Sequence, residues 1–486
     1  GYNAVTVAKK AQLADFCVIA FLLAYHSSFF IIADRFFGFD TFFHFALARE
    51  VFSGEIFRGI SHLPLTVLGN AGPDHHLLFH IAIAPFTLLE SSLGLKVAAA
   101  FFAIFSSVCI YYILKALRIP FPQLLMLLLL ASSASYTMRI SMLRVQSIAV
   151  PMVLLALLLL LRERKYGLAI LGFLFSWTYH GSIICAPLAA IVLLSTWLTK
   201  RKIVFAPIVY LACGMMLGQL INPFVPDNFE FLFFHVLFST SNPLGLKVGN
   251  EWASPSLVTF FGDMWILHLA MLATFLLALS KKCQISGDTL AFTGVWLLFL
   301  VMTLKHIRFI EYWIPVSVVL VGLLLRDITR EKATLGLRAQ TALAILFGLA
   351  TAHHWRQISL VLPHGVPENY LKEVSAYLSE HSGQNEIVLN LHWDQFPLLY
   401  YHNKHNRYVT GLDPNFLAYA SPEAHSLLNK LRSPNYLIPN IADKLETHFQ
   451  ARYVLGYPED NAVLARYSEL QKVQQTKYGS LWKIKR

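Results

Sequence analysis

Long apolar runs separated by short basic tracts dominate the chain. Runs long enough, or nearly so, to cross a bilayer as a helix fall at 11–40 without its polar end, 95–114, 120–135, 147–161, 167–180, 182–198, 203–221, 260–280, 289–304, 309–325 and 339–353. About 20 apolar residues at 1.5 Å each span the hydrocarbon, so the pattern predicts a polytopic α-helical membrane protein of about 11 spans. Lys9-Lys10, Lys115 with Arg118, Arg162 to Lys165, Lys200 to Lys202, Lys281-Lys282 and Arg326 to Arg338 fall mostly on one side if the spans alternate. The positive-inside rule makes that side cytoplasmic. Alternation requires that 75–93 does not cross, and His75, His76, His80, Pro85 and Glu90 suit an interfacial or re-entrant helix. The N-terminus is then inside and the C-terminus outside. The polar segments 33–94, 136–146, 222–259, Lys305 to Arg308 and everything from 354 onward collect on the extracytoplasmic face.

Beyond 353 the pattern changes. Short strand-like runs appear at Glu386-Ile387-Val388-Leu389, Arg407-Tyr408-Val409, Arg452-Tyr453-Val454-Leu455 and Leu481-Trp482-Lys483-Ile484, with helical stretches between them. The chain therefore divides into a membrane domain, 1–353, and a C-terminal extracytoplasmic α/β domain, 354–486. There is no inverted repeat of the kind many transporters carry. With 56% hydrophobic and 14% charged residues, the composition excludes an ordinary soluble enzyme. The net charge of +11 reflects topology and gives no reason to invoke nucleic acid. Five cysteines without a CxxC pair, none in the tail, argue against a disulfide framework or a thiolate metal site. The chain starts at Gly1 without a cleavable-signal pattern, so the first run is expected to stay as a helix.

Candidate chemistry begins at Gly38-Phe39-Asp40-Thr41-Phe42-Phe43-His44, directly after the first apolar run. A carboxylate near hydrocarbon is costly unless it has a function or a partner. Asp40 and His44 share a helix face at i, i+4, and Asp74, His76 and His80 follow in the same loop. Such groups can bind a divalent metal or supply a general base; interfacial histidines bonded to backbone are the plainer alternative. Arg139 and Arg144 stand at the next outer turn, as phosphate ligands or snorkelling anchors. Glu251, in a Gly- and Pro-flanked loop, has the setting of an acid that closes over a substrate. Lys305 and Arg308 form an outer cationic pair against the positive-inside trend. Trp393 and Asp394 follow a strand, where a stacking and hydrogen-bonding pair can meet a sugar or peptide.

Taken in order, these segments resemble the GT-C superfamily of membrane glycosyltransferases, and most closely the catalytic subunit of oligosaccharyltransferases. Phe39-Asp40-Thr41-Phe42-Phe43-His44 is similar to the family's first outer loop, whose aspartate is catalytic and sits near a divalent metal. Val248-Gly249-Asn250-Glu251-Trp252 with Pro255 resembles its mobile loop, and Arg308-Phe309 its donor-phosphate arginine. His392-Trp393-Asp394 is similar to its Trp-Trp-Asp acceptor motif, with His392 in place of the first Trp. In the second outer loop the family carries metal-binding acids, whereas this chain has Arg144-Val145-Gln146.

The resemblance implies a glycosyltransferase taking a sugar or oligosaccharide from a polyprenyl-phosphate or -pyrophosphate donor to a glycan, lipid or protein acceptor. The implied location is the cytoplasmic (inner) membrane, with the site on its outer face. Asp40 and Glu251 are the expected catalytic residues, Arg308, Lys305 and Arg144 the donor-phosphate ligands, and Trp393, Asp394 and His44 the acceptor-side residues. A divalent metal, manganese or magnesium, held by Asp40, Asp74, His76 and His80, is the open cofactor question. Arg144 would repel a cation, which favours a metal-independent site. A transporter or flippase of lipid-linked glycans, a protein oligosaccharyltransferase proper, and a non-catalytic scaffold are the alternatives. A lipid-linked donor also accounts for the lack of a Gly-rich nucleotide-phosphate loop.

Overall fold

Each of the eleven apolar runs holds a helix in the computed structural model, which describes residues 2–239, 242, 244–246, 248–330 and 335–485. Parts of the expected loop 222–259 (240, 241, 243 and 247) and of the basic tract 326–338 (331–334) lie outside the described residues. Among the described residues, five helices are long and apolar enough to cross a membrane: Gln12–Ile32, Ser91–Ala116, His180–Lys200, Gly287–Lys305 and Ile307–Thr329. Two helix pairs, Pro122–Ala131 with Ala134–Ile140 and Leu257–Asp263 with Trp265–Ser280, are bent by 97° and 75° and bring the number to seven if each is one broken span. The other runs are shorter or more polar. Gln146–Leu161 has 16 residues, about 24 Å of helix, and Leu337–Val361 carries His353, His354 and Arg356 in its later turns. The stretch Leu77–Leu88 is likewise short.

The chain gathers into two compact units, one comprising Gly1–Phe37, Lys96–Gly218 and Gly249–Gly365, the other Gly38–Leu95, Gln219–Val248 and Val366–Arg486. In the first, Ile310–Thr329 is buried along almost its whole length and packs against Pro122–Ala131, Trp265–Ser280 and Gly287–Lys305. Elsewhere the close approach of Lys165–Thr178 to Ala206–Leu220 depends on glycine. A Cβ on Gly214 would lie 2.0 Å from the Ala169 carbonyl oxygen, and one on Gly172 2.6 Å from that of Leu211. Small residues at such contacts let two backbones meet where lipid supplies no hydrophobic drive.

The two bends are tied together. Ser133 sits between Pro122–Ala131 and Ala134–Ile140 and caps the latter by accepting from the Tyr136 N–H at 3.0 Å. The same hydroxyl donates to Asp263, whose other oxygen accepts from the Ala134 N–H at 3.2 Å. Asp263 ends the short helix Leu257–Asp263, so one carboxylate satisfies donors that the first break exposes while standing at the second.

The second unit is built on a five-stranded sheet. Its strands are β1 (Ile387–Asn390), β2 (Arg407–Tyr408), β3 (Ala451–Gly456), β4 (Leu470–Gln475) and β5 (Ser480–Ile484), in the order β2-β1-β3-β5-β4. The three strands β2, β1 and β3 are parallel, with Leu389 opposite Val454, and β5 runs antiparallel to β3 and β4. Leu389, Val409, Val454, Leu428, Leu445 and Phe449 form the core beneath it. Four of the strands coincide with the expected runs. The fifth, β4, reads Leu-Gln-Lys-Val-Gln-Gln, an exposed edge strand with no apolar alternation to mark it.

This unit also contains Gly38–Leu95, most of the first polar segment of the sequence. The helix Asp40–Ala48, buried from Thr41 to Ala48, packs its aromatic face on the helix Phe396–His402. Phe43 meets Phe396 and Tyr400, and Phe42 meets Tyr401 at 5.3 Å. Polar ties fix the end of that helix: Tyr400 donates to Glu50 at 2.7 Å, Lys404 pairs with Glu50, and Arg49 lies over the Tyr401 ring at 4.5 Å.

Candidate functional site

In the membrane unit, three helix ends bring arginines to one carboxylate. Arg139 comes from the bent segment Ala134–Ile140, Arg144 from the turn before Gln146–Leu161, and Arg308 from the 3-10 turn Ile307–Phe309. Glu251, in the turn Asn250–Trp252, accepts from Arg139 at 2.8 Å and Arg144 at 3.1 Å and pairs with Arg308 at 3.3 Å. Through its Nε, Arg139 also donates to Glu311 at 2.6 Å, a carboxylate only 1% exposed inside Ile310–Thr329. Three cations thus face two anions. Burial pushes the Glu251 carboxyl up, but Arg144, Arg308 and Arg139 outweigh it and hold the group well below the usual carboxylate range.

The turn bearing Glu251 is fastened to the segment bearing Arg308. His306 Nδ1 lies 2.5 Å from the Trp252 carbonyl oxygen, the Ile307 N–H donates to the Ala253 carbonyl at 2.9 Å, and the Arg308 guanidinium stacks 4.4 Å from the Trp252 ring centroid. A planar guanidinium matches phosphate as well as carboxylate, so three guanidinium groups gathered in this way have the chemistry to hold an anion.

In the second unit, Gly38 takes the left-handed conformation at φ 76° and turns the backbone into the helix that starts at Asp40. Asp40 is half-buried at the helix N-terminus, where backbone N–H groups favour negative charge. One turn on, buried His44 presents Nδ1 to His80 Nε2 at 2.8 Å; His80 Nδ1 meets Asp74 Oδ2 at 2.6 Å, and Asp74 Oδ1 accepts from the His76 N–H at 2.9 Å. A carboxylate only accepts, so His80 donates to Asp74 from Nδ1. Burial pushes Asp74 up, but His80 and the His76 N–H outweigh it and leave the group below its ordinary value.

Both ring nitrogens of His80 are engaged by protein groups, whereas each oxygen of Asp74 accepts one hydrogen bond and keeps a further lone pair.

Trp393 and Asp394 form a 3-10 turn past the C-terminal end of β1. Asp394 accepts from the Tyr457 hydroxyl at 3.0 Å, and His392 contacts Asp460 at 2.8 Å, both partners lying past the end of parallel β3. Carboxyl ends of parallel strands are where open α/β sheets present binding residues.

Three solved structures align with most of the chain. The apo oligosaccharyltransferase of Archaeoglobus fulgidus is 12% identical, aligned over 91% of this chain and 69% of its own, with a TM-score of 0.63. ArnT from Cupriavidus metallidurans, bound to undecaprenyl phosphate, is 14% identical over 96% of this chain and 97% of its own, with a TM-score of 0.57. The arabinofuranosyltransferase AftD from Mycobacteria is 15% identical over 96% of this chain and 41% of its own, also at 0.57. The chain has a GT-C-like fold. No family model matches it, and no curated protein matches it in sequence. Apolar helices and GT-C neighbours together mark a multi-pass membrane protein.

Within this GT-C-like fold the sequence-expected residues sort unevenly. Glu251, Arg144 and Arg308 come together, whereas Lys305 is exposed at the end of Gly287–Lys305, its backbone carbonyl accepting from the Ser254 hydroxyl. Arg139, a candidate phosphate ligand or anchor by sequence, and Glu311, which sequence reasoning missed, complete the cluster. Glu311 had a signal: it is the lone acid in its apolar run, and an ionisable group inside a span is functional by default. His44, Asp74 and His80 also come together, as a hydrogen-bonded chain.

Proposed function

We propose that the protein is a membrane glycosyltransferase that takes a sugar from a polyprenyl-phosphate or -pyrophosphate donor on the extracytoplasmic face. The observation that carries this reading is the three-arginine cluster around Glu251 at the ends of membrane helices. In the reaction, an acceptor oxygen or nitrogen attacks the anomeric carbon, the bond from that carbon to the phosphate oxygen breaks, and its electron pair leaves with the phosphate. Asp40 takes the acceptor's proton, and Arg139, Arg144 and Arg308 stabilise the departing charge. The positive charge that the family resemblance assigns to a metal is here supplied by guanidinium groups. This supports a metal-independent reaction.

Glu251 acts as the occupant that a donor phosphate displaces: it satisfies the arginines while the site is empty of lipid. His44, held by His80 and Asp74, orients the acceptor, and Trp393 with Asp394 reads the acceptor's far end. In support, ArnT was solved with undecaprenyl phosphate and the Archaeoglobus fulgidus oligosaccharyltransferase with an inhibitory peptide and a dolichol-phosphate. The deciding experiment is direct binding of undecaprenyl phosphate to the purified full chain. Arg308→Ala should weaken it by roughly 2 to 3 kcal/mol, the value of a charge-assisted contact. Equal affinity of Arg308→Ala and the native protein would overturn the assignment.

A further inference from the structure

A cavity of about 620 Å³ lies within the membrane unit among helix ends that carry basic tracts. It is lined by apolar Ala116, Leu117, Leu158 and Leu159 together with Arg118, Arg162, Arg164, Arg326 and Arg330. Asp288 is the one acid in the lining. Buried Arg326 is locked in place, donating to the Leu117 carbonyl at 2.9 Å, Asp288 at 3.0 Å and the Ser286 hydroxyl at 2.8 Å. Exposed Arg162 also binds Asp288, with both oxygens at 3.2 Å, and Arg330 lies 3.9 Å from Asp327. Five arginines therefore face two aspartates, a surplus of three positive charges. Among the described residues, Arg118 and Arg164 have no carboxylate partner.

Charge alone would make this a solvated helix-end cluster of the positive-inside kind. Two features go further. The lining sets apolar residues beside the arginines, and one of those arginines is held by three hydrogen bonds, which pre-organises the site. Apolar surface beside guanidinium groups at the end of membrane helices matches a phosphate attached to, or lying beside, acyl chains, and basic pockets between membrane helices hold acidic head groups in this way.

We propose that this cavity binds a phosphate group, most naturally the head group of an anionic phospholipid in the leaflet facing the basic tracts. The inference is independent of the donor site, since it shares no residue with the Glu251 cluster. The test titrates detergent-solubilised full chain with dioleoylphosphatidylglycerol, with dioleoylphosphatidylcholine as the neutral head group and inorganic phosphate as the free anion. Phosphatidylglycerol should bind at least tenfold more tightly than phosphatidylcholine, and the double variant Arg118→Gln/Arg164→Gln should lose about that advantage. Both substituted residues are exposed, so the fold should stand. Arg330→Gln provides a second variant with the same expected direction. Inorganic phosphate competing at similar affinity would support the phosphate chemistry and assign it to a free anion. Equal binding of the two lipids, or variants that keep the full preference for phosphatidylglycerol, would overturn the proposal.

Discussion

Glu251→Gln separates a displaceable occupant from a structural brace, because the two roles predict opposite signs. The substitution keeps the shape and removes one charge from a cluster of three arginines and two glutamates, raising its surplus from one positive charge to two. An incoming phosphate must break the carboxylate's charge-assisted bonds in the native protein, each worth about 1.5 to 3 kcal/mol. Removing the competitor should free about one such bond's worth, so undecaprenyl phosphate should bind roughly 10- to 100-fold more tightly. The unliganded variant should also be less stable, since unpaired buried charges cost about 3 to 5 kcal/mol when a partner is removed, and the lipid should restore the lost melting temperature. The assay is calorimetric binding of undecaprenyl phosphate to native and variant protein, with thermal melts on the same samples. Weaker binding by Glu251→Gln, with no rescue of stability by the lipid, would refute displacement and make Glu251 the brace that holds the arginines in position.

Asp40→Asn keeps the shape of the side chain and removes its basicity; glycosyl transfer should fall by a factor on the order of 100 or more while undecaprenyl phosphate binding stays near native, and full activity in the purified variant would remove Asp40 from the role of base. Burial pushes the His402 imidazole down to about 4, so its neutral form is favoured in the folded state. That contribution is fully present above about pH 6.5 and is lost as pH falls from there toward 4, up to roughly 3 kcal/mol, and thermal melts of His402→Gln should have a shallower acid slope than the native protein. A reporter fused after residue 353 should be active on the extracytoplasmic side, and activity confined to the cytoplasm would invert the topology.

The sequence carried the helices and four of the five strands because both follow a local period. Apolar runs announced the membrane helices, and Ile387-Val388-Leu389 or Tyr453-Val454-Leu455 announced strands. β4 was silent because an edge strand facing water has no reason to alternate. The break in the run 120–135 was marked only by Ser132-Ser133, and its partner at Asp263 by one acid in an otherwise apolar stretch. Single residues of that kind gain meaning only when their contact is known. Placement of Asp40–Ala48 in the second unit was beyond local reading, since its aromatic face packs on Phe396, Tyr400 and Tyr401, far away in the chain. Glu251 and Arg308 were legible as candidates through their surroundings, but that one neutralises the other was not, because pairing depends on how the helix ends meet.

Asp263 joins the two broken helices at their bends, and this bears on how the protein responds to the membrane around it. A continuous span meets a thicker or thinner bilayer by tilting, and side chains at its ends move with it. Arg139 rides instead on Ala134–Ile140, whose direction is set by hydrogen bonds from Ser133 and Ala134 to Asp263. Tilt imposed by lipid on Pro122–Ala131 can be taken up at the 97° bend before it reaches the arginine. The anion cluster is thereby insulated from bilayer thickness, and in membranes of different acyl-chain length its affinity for a phosphate should stay constant so long as that one carboxylate is intact.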